Sequence, residues 1–452
     1  MASAGYKDSR SARPATPLEA LLAHPVSAPP VSASPARAVL VWSLAALAFG
    51  YAFFQRVAPS VMVEDLMREF HVSAAVLGQL SALYFYPYAL LQPPLGALLD
   101  RFGARLMLTL AAALAAAGTL AFAVAADLWL AYVGRFLVGA GSAVGFIGSL
   151  ALAARWFPPR RFATMAGLAM LIAMASGIAA QAPLAAVIDR LGWRTTMGYS
   201  GLFALALCLA TVILVRNAPG DNRLVSPATS HSGGGAGILA ALAHAVTRGE
   251  VWRIALVAMA LTGPLLAFAG LWGVPYMMAA YGLERAPAAG LVSATLLGWA
   301  IGAPCLGWLS DAIGYRKRLM VAAAATNCVL IAVLVFLPGL PLAATVVLMF
   351  ALGVAGAAMS VSFALAREVT AHAYHGAVTG LVNGMTVASG AVLQPVIGIV
   401  LDVVWDGAMA GGVRVYAADD YRTAFLSLLA WGLMGFVLAL TLRETRCRSL
   451  AA

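Results

Sequence analysis

Arg56 is the residue of this sequence with the clearest potential for chemistry, because it lies within a long apolar stretch. An arginine at the centre of a membrane helix costs about 2.5–3.5 kcal/mol on insertion scales, so it is usually kept for a partner or a substrate. Two interpretations are open. Arg56 could reach the outer interface or pair with Glu64 or Asp65, or it could face a cavity and bind an anion.

Aromatic residues follow in the next apolar stretch. Tyr84 and Tyr88 are four residues apart and therefore lie on one face of a helix. This face could pack against other helices or line a binding site. Pro87, Pro93 and Pro94 interrupt helical hydrogen bonding, so we expect the helix to bend near them, where a cavity would need space.

Polar and amphipathic residues in the second half of the chain could complete a site. They lie inside apolar stretches and are Trp272, Tyr276, Asn383 and Gln394. Each could equally be a contact between helices, where a hydrogen bond is worth about 0.6 kcal/mol.

Other kinds of chemistry have no motif here. The sequence contains no G-x-x-x-x-G-K-[ST] loop, no H-E-x-x-H motif and no G-x-S-x-G elbow, so we expect neither an enzyme nor direct use of ATP. The four cysteines lack disulfide and zinc spacings. We therefore predict no metal and no cofactor.

Composition defines the environment of these residues. Of the 452 residues, 62% are hydrophobic and only 10% are charged, whereas soluble domains carry about 25% charged residues. The chain is therefore expected to be a polytopic membrane protein. Its net charge of +10 is spread in small groups between apolar stretches, so we predict no nucleic-acid partner.

Apolar windows of about 20 residues, enough to cross about 30 Å of hydrocarbon, predict the membrane helices. They lie at 38–62, 75–99, 105–125, 129–153, 164–188, 195–215, 253–280, 287–309, 318–338, 341–365, 377–402 and 423–441. The predicted regions are a disordered cytoplasmic tail (1–36), an N-terminal six-helix bundle (37–216), a cytoplasmic linker (217–250), a C-terminal six-helix bundle (251–442) and a second cytoplasmic tail (443–452).

The distribution of basic residues predicts the orientation. With both termini inside, 20 of the 28 Lys and Arg residues fall on the cytoplasmic side, six on the other side and two, Arg56 and Arg135, within helices. Basic residues are enriched in cytoplasmic loops. We therefore expect both termini in the cytoplasm of a bacterial-type cell, with the chain in the inner membrane.

A charged turn between apolar stretches occurs twice. Gly96, Asp100 and Gly103 recur as Gly307, Asp311 and Gly314, each 211 residues later, and the first copy also contains Arg101 and Arg105. The duplication continues in four further positions: Gly167, Gly177, Gln181 and Asp189 recur as Gly380, Gly390, Gln394 and Asp402, each 213 residues later. The chain is therefore a duplication of a six-helix unit, and these turns are candidate hinges and latches.

The turn resembles the loop signature G-x-x-x-D-R-x-G-R-R of the major facilitator superfamily. This resemblance implies an all-α membrane fold of twelve transmembrane helices, in two six-helix bundles related by a pseudo-two-fold axis. Parallel repeats of this kind place the substrate path between the halves near the membrane midplane. Arg135, followed by Gly139 and Gly141, is similar to the fourth-helix motif of the superfamily, and we treat it as support for the cavity.

The stretch from Gly50 to Arg56 resembles the first helix of the organophosphate:phosphate antiporters and related organic anion transporters, in which an arginine at this point grips the substrate. The resemblance implies a substrate-site role for Tyr88 and places Gln92 where that branch has a lysine. We expect only one cationic group to face the site, which favours a monocarboxylate or an amino acid over a phosphate dianion.

These observations predict a secondary active transporter of a small organic anion or zwitterion. We expect the protein to be a monomer surrounded by membrane lipids, and its transport to be coupled to a proton or a counter-substrate. Exchange is favoured, because all six histidines fall in tails or loops and the nearest acids, Glu64 and Asp65, face outer water. Two different functions stay open: a multidrug efflux pump, which would need a carboxylate in the cavity, and a transporter-like solute sensor, which would need a soluble domain.

Overall fold

The computed structural model describes residues 34–220 and 235–450. Within these residues, twelve helical spans are long and apolar enough to cross a membrane, as predicted. The helices of the first half are Pro35–Val57, Val63–Phe70, Ala74–Ala82, Phe85–Phe102, Ala104–Ala123, Leu128–Ser142, Gly145–Trp156, Phe162–Ala179, Ala182–Leu191 and Trp193–Leu214. Short 3-10 turns lie at Ala58–Val61 and Pro159–Arg161.

The second half repeats this pattern. Its helices are Gly235–Thr247, Gly249–Pro264, Gly273–Tyr281, Arg285–Ile313, Arg316–Phe336, Leu342–Ala357, Ser360–Glu368, His375–Val404 and Ala418–Leu440. A π-helix, Leu265–Trp272, continues the seventh span, and a 3-10 turn lies at His372–Tyr374. The strands Met409–Ala410 and Val413–Arg414 pair antiparallel before the twelfth span.

Three predicted regions lie partly outside the described residues. They are the tail 1–36, of which the first 33 residues are not described, the linker, which lacks 221–234, and the last two residues of the chain. The described end of the linker forms a helix, Gly235–Thr247, that the sequence analysis missed. His244 of this helix stacks on Tyr374, with 3.8 Å between ring centroids. Partial burial, with a smaller effect of Arg248, lowers the pKa of His244.

The second span is interrupted, but not at its prolines. It breaks at Leu83–Tyr84, and the helix Phe85–Phe102 then continues through Pro93 and Pro94. Pro87 lies in the first turn of that helix, where a backbone N–H would have no intrahelical partner, so its absence in proline costs no helical hydrogen bond. The interruption of the second span therefore lies one turn before Pro87, and none of the three prolines ends a helix.

Both ends of the described chain lie on one face of the bundle, here called the terminal face, because an even number of spans separates them. On the opposite face the halves are joined by polar contacts. The Asp402 carboxylate accepts hydrogen bonds from the backbone N–H groups of Ala74 (3.2 Å) and Ala75 (2.9 Å), at the start of the second span. Arg285, at the start of the eighth span, binds Asp65 (2.8 Å) and Asp189 (3.3 Å). The opposite face is therefore closed in this structure.

Candidate functional site

Arg56 lies inside the bundle at the end of the helix Pro35–Val57, and only 7% of it is exposed. Its guanidinium carbon lies 4.4 Å from the ring centroid of Phe53, 5.1 Å from that of Tyr88 and 5.8 Å from that of Tyr84. Aromatic faces attract a guanidinium within about 6 Å of the ring centroid. The structure therefore surrounds Arg56 with aromatic rings on several sides.

The interpretation of Arg56 as an interface residue paired with Glu64 or Asp65 is wrong. Asp65 binds Arg285 instead, and Glu64 is exposed. Among the described residues, Nε and Nη2 of Arg56 make no well-aligned hydrogen bond, although the hydroxyl groups of Tyr84 and Tyr88 lie near the guanidinium. These two nitrogens form one edge of the guanidinium plane, the edge that binds a carboxylate with two parallel hydrogen bonds.

Tyr84 connects the second span to the first. Its hydroxyl donates a hydrogen bond to the carbonyl oxygen of Ala52 (2.9 Å), and its ring is fully buried. The ring centroids of Tyr84 and Tyr88 are 5.9 Å apart. The prediction that the two tyrosines share a helix face is therefore confirmed, and the structure brings both of them to Arg56.

Arg135 brings a second guanidinium to the same place. Its Nη1 donates to the carbonyl oxygen of Gln55 (3.0 Å), and its guanidinium carbon lies 5.2 Å from the Tyr84 ring centroid. Within the described chain its Nε and Nη2 have no partner. The hydrogen bond to Gln55 agrees with a supporting role, but the expectation of a single cation at this place is wrong. The number of cationic groups therefore no longer argues against a doubly charged anion.

Gln55 and Phe53 are neighbours of the site that the sequence analysis did not single out as candidates. The Gln55 amide donates hydrogen bonds to the hydroxyl oxygens of Tyr51 (2.7 Å) and Ser200 (3.0 Å). Tyr51 lies in the same helix as Gln55, whereas the bond to Ser200 ties the first span to the sixth, fixes the rotation of the first span and so determines where the next residue, Arg56, points. The spacing of Phe53 and Arg56, three residues apart on a helix, was the signal available for Phe53.

Gln92 and Asn383 join the two halves beside this cluster. Asn383 Nδ2 donates to Gln92 Oε1 (2.7 Å), and Gln92 Nε2 donates to the carbonyl oxygen of Ala143 (3.1 Å). In this structure both side chains therefore act as contacts between helices.

The π-helix of the seventh span is held by two glutamines at repeat-related positions. Gln181 Nε2 donates to the carbonyl oxygen of Ala269 (2.9 Å), and Gln394 Nε2 donates to that of Leu266 (2.8 Å). Trp272 Nε1 in turn donates to the backbone oxygen of Gln394 (3.0 Å). A π-helix leaves backbone groups off the α-helical ladder and is frequent at functional sites.

Tyr276 lies in a separate aromatic cluster. Its ring centroid is 5.2 Å from that of Phe425, 6.1 Å from that of Tyr421 and 6.2 Å from that of Phe268. Edge-to-face arrangements of this kind stabilise packing between helices. The contacts of Tyr276 are therefore those of a packing residue.

The two signature turns both have a glycine with positive φ, but their backbone conformations differ, because ψ is 155° at Gly103 and 22° at Gly314. Gly103 and Gly314 both have positive φ, +81° and +69°, which favours glycine at each turn. In the second copy Arg316 binds Asp311 (2.6 Å) and Glu368 (3.0 Å).

The first copy of the turn makes different contacts. Asp100 and Arg101 are exposed, and the guanidinium of Arg101 lies over the Phe102 ring. Arg105 Nη2 donates to the carbonyl oxygen of Val212 (2.9 Å). Gly96 and Gly307 have open space around them.

Twelve spans in two repeats, with buried arginines near their interface, define the fold class of a polytopic membrane transporter. The family model of the Major Facilitator Superfamily matches residues 44–395 and, in a second match, 266–449. The chain belongs to this family, whose members are transporters and not enzymes.

Three proteins illustrate the similarity. "Uncharacterized transporter YybO" of Bacillus subtilis (strain 168) is 37% identical over 107 residues, 24% of this chain and 25% of that protein. "Monocarboxylate transporter 11" of Homo sapiens is 30% identical over 280 residues, and the match spans 60% of this chain and 56% of that protein. A bacterial homologue of the human lysosomal transporter Spinster, in an inward-facing and occupied conformation, has the same fold, with a TM-score of 0.70, 15% identity and coverage of 88% of this chain and 95% of that one.

Proposed function

We propose that this protein moves a small organic monocarboxylate across the membrane by alternating access, with Arg56 as the charge anchor. The observation that carries the proposal is the Nε and Nη2 edge of Arg56, which makes no well-aligned hydrogen bond among the described residues and lies buried between the rings of Phe53, Tyr84 and Tyr88. Charge-assisted pairs of parallel hydrogen bonds are strong, and exclusion of water strengthens them further. The partial similarity to a monocarboxylate transporter supports the same substrate class.

An amino-acid-like zwitterion is the second candidate. The aromatic faces of Tyr84 and Tyr88 could receive its ammonium group through cation–π contacts. However, both rings already face guanidinium groups, and like charges would repel an ammonium in the same place. The electrostatics at Tyr84 therefore favour an anion without a positive group.

An efflux pump and a solute sensor both lack support. A pump for amphipathic cations needs a carboxylate in its cavity, but the acidic residues of the described spans lie close to span ends: Asp100, Glu250, Asp311, Glu368, Asp402, Asp419 and Asp420. A solute sensor needs a soluble domain, and the described residues outside the spans form only short helices, turns and a two-residue hairpin.

Alternating access agrees with the contacts on the opposite face. Asp402 and Arg285 close that face in this structure. The bias of basic residues favours a cytoplasmic terminal face in a bacterial inner membrane, so we infer that this conformation is the one closed to the outside. Monomeric function and exchange of substrates are both part of the proposal. Exchange is favoured over proton coupling because Asp65 is engaged with Arg285 and Glu64 faces solvent.

A thermal-shift screen of the purified protein tests the proposed class. The panel contains monocarboxylates, amino acids and phosphate esters at matched ionic strength. We expect monocarboxylates to raise the melting temperature through mass action. Stabilisation by amino acids alone, or by phosphate esters alone, would contradict the assignment.

A further inference from the structure

The two halves meet along two repeat-related seams. The 2–11 seam lies between the second and eleventh spans, and the 5–8 seam lies between the fifth and eighth spans. In the 2–11 seam, Asn383 donates its hydrogen bond to Gln92. One turn nearer the terminal face, a Cβ placed on Gly380 would lie 2.9 Å from the Gln92 carbonyl oxygen and 3.0 Å from the Cα of Pro93. This seam is therefore closed by backbone contact and by an amide pair.

The 5–8 seam is open at the same positions. Gly167, 213 residues before Gly380, would carry a Cβ with no neighbour within 4 Å. Met170 stands 213 residues before Asn383 and is 38% exposed. Across the seam, Ala303 and Pro304 stand 211 residues after Gln92 and Pro93, and Pro304 is exposed. The amide pair of one seam is thus replaced by a methionine and an alanine, and no hydrogen bond can form between these side chains.

Exposure to lipid does not account for this opening. The repeat-related residues in the other half, Gly380 and Asn383, face the second span and not the membrane. The repeat relates Gly167 and Met170 to these positions, and Gly177, seven residues after Met170 and so on the same helix face, contacts Leu296 of the eighth span. The space beside them therefore lies between the halves.

The closed part of the 5–8 seam ends at the Arg56 site. A Cβ on Gly177 would lie 3.7 Å from Leu296 Cδ1 and 3.8 Å from Phe53 Cδ1. The Phe53 ring in turn covers the guanidinium of Arg56 at 4.4 Å. Met170 and Gly167 lie seven and ten residues before Gly177, about 10 and 15 Å along the helix. A molecule whose anionic group reached Arg56 past Phe53 would therefore need a tail of about this length to lie beside them.

We propose that the substrate is an amphipathic monoanion, whose carboxylate binds Arg56 and whose apolar tail lies in the 5–8 seam against Met170, Gly167 and Pro304. This inference rests on the proposed function and narrows its substrate class. The lining is apolar and only partly covered by protein, so burial of a tail there is favoured by the hydrophobic effect. The closed, amide-bonded 2–11 seam offers no equivalent space.

The test measures dissociation constants of the purified protein for propionate, octanoate and dodecanoate, all below their micellar concentrations. Each buried methylene should tighten binding by about fourfold or somewhat less. Equal binding of all three would overturn the inference but leave the monocarboxylate function intact. No binding at any length would instead overturn the proposed function itself.

A double variant, Met170→Asn with Ala303→Gln, introduces the amide pair of the other seam. We expect the ratio of dodecanoate to octanoate affinity to fall toward one, because a closed seam leaves no room for the end of the longer tail. Leu168→Asn, at an exposed neighbouring position, is the matched control and should keep the wild-type ratio. A high ratio in the double variant would contradict the tail position.

Discussion

Replacement of Arg56 by lysine is the sharpest test of the proposed anchor. Arg56→Lys keeps the positive charge but loses the planar edge formed by Nε and Nη2, neither of which makes a well-aligned hydrogen bond among the described residues. A lysine ammonium can approach one carboxylate oxygen but does not present two parallel donors. The variant should therefore insert and fold while binding its anion less well.

The expected loss follows from the bond that disappears. A hydrogen bond to a charged group contributes about 1.5–3 kcal/mol, and each 1.4 kcal/mol changes the dissociation constant tenfold. Loss of one of two such bonds should weaken monocarboxylate binding about 10- to 150-fold. Arg56→Gln, which also removes the charge, should bind still more weakly.

Binding by thermal shift and uptake into proteoliposomes are the appropriate assays, with Arg68→Lys as the control. Arg68 is an arginine whose side chain is 57% exposed, and at 4.0 Å from Asp65 it makes only a weak pair. It should behave like wild type. Unchanged affinity and uptake in Arg56→Lys would refute the bidentate anchor, whereas loss of folded protein in Arg56→Lys alone would refute the claim that insertion is unaffected.

Three further predictions concern the turns, the orientation and the coupling. Asp100→Asn should slow turnover at saturating substrate and leave substrate affinity unchanged; a collapse of affinity would argue against a latch. Asp311→Asn should lower the free energy of unfolding by less than about 1 kcal/mol, because the Asp311 side chain is 68% exposed. A reporter active only in the cytoplasm, fused after Ala452, should be active, and a well-expressed but inactive fusion would reverse the topology. Uptake should require substrate preloaded inside the vesicles; strong uptake into empty vesicles that disappears with the pH gradient would instead indicate proton coupling.

Span positions could be predicted from apolar windows because hydropathy reports the length of hydrocarbon crossed. The window 105–125 corresponds to the helix Ala104–Ala123, and 377–402 to His375–Val404. The twelfth span begins five residues before the predicted 423, at Ala418. Its first turn contains Asp419 and Asp420, which lower the hydropathy of the window but stabilise a helix N-terminus.

The candidate site was harder to predict than the spans. The shared face of Tyr84 and Tyr88 followed from their spacing, and the structure brings both to Arg56. The rotation of the first span did not follow, because it depends on hydrogen bonds from Gln55 to residues 64 and 145 positions away, Thr119 and Ser200. Local sequence patterns carry no information about such distant partners.

The duplication explains why contacts between the halves were easier to anticipate than chemistry. Asp189 and Asp402, at repeat-related positions, each bind the start of the facing span, and these two contacts follow from the shared fold. Gln181 and Gln394 both bind carbonyl oxygens of the π-helix, but Gln181 does so across the halves and Gln394 within the second half.

Substitution within that shared framework makes the two seams different. Asn383 and Gln92 join one seam with an amide hydrogen bond, whereas Met170 and Ala303 leave its counterpart apolar. Breaking the hydrogen bond between the two side-chain amides would leave polar groups without partners, which costs free energy. Met170 and Ala303 make no such bond, so moving them apart has no comparable cost. Rocking of the halves should therefore open and close mainly along the 5–8 seam, with the 2–11 seam as the more fixed side.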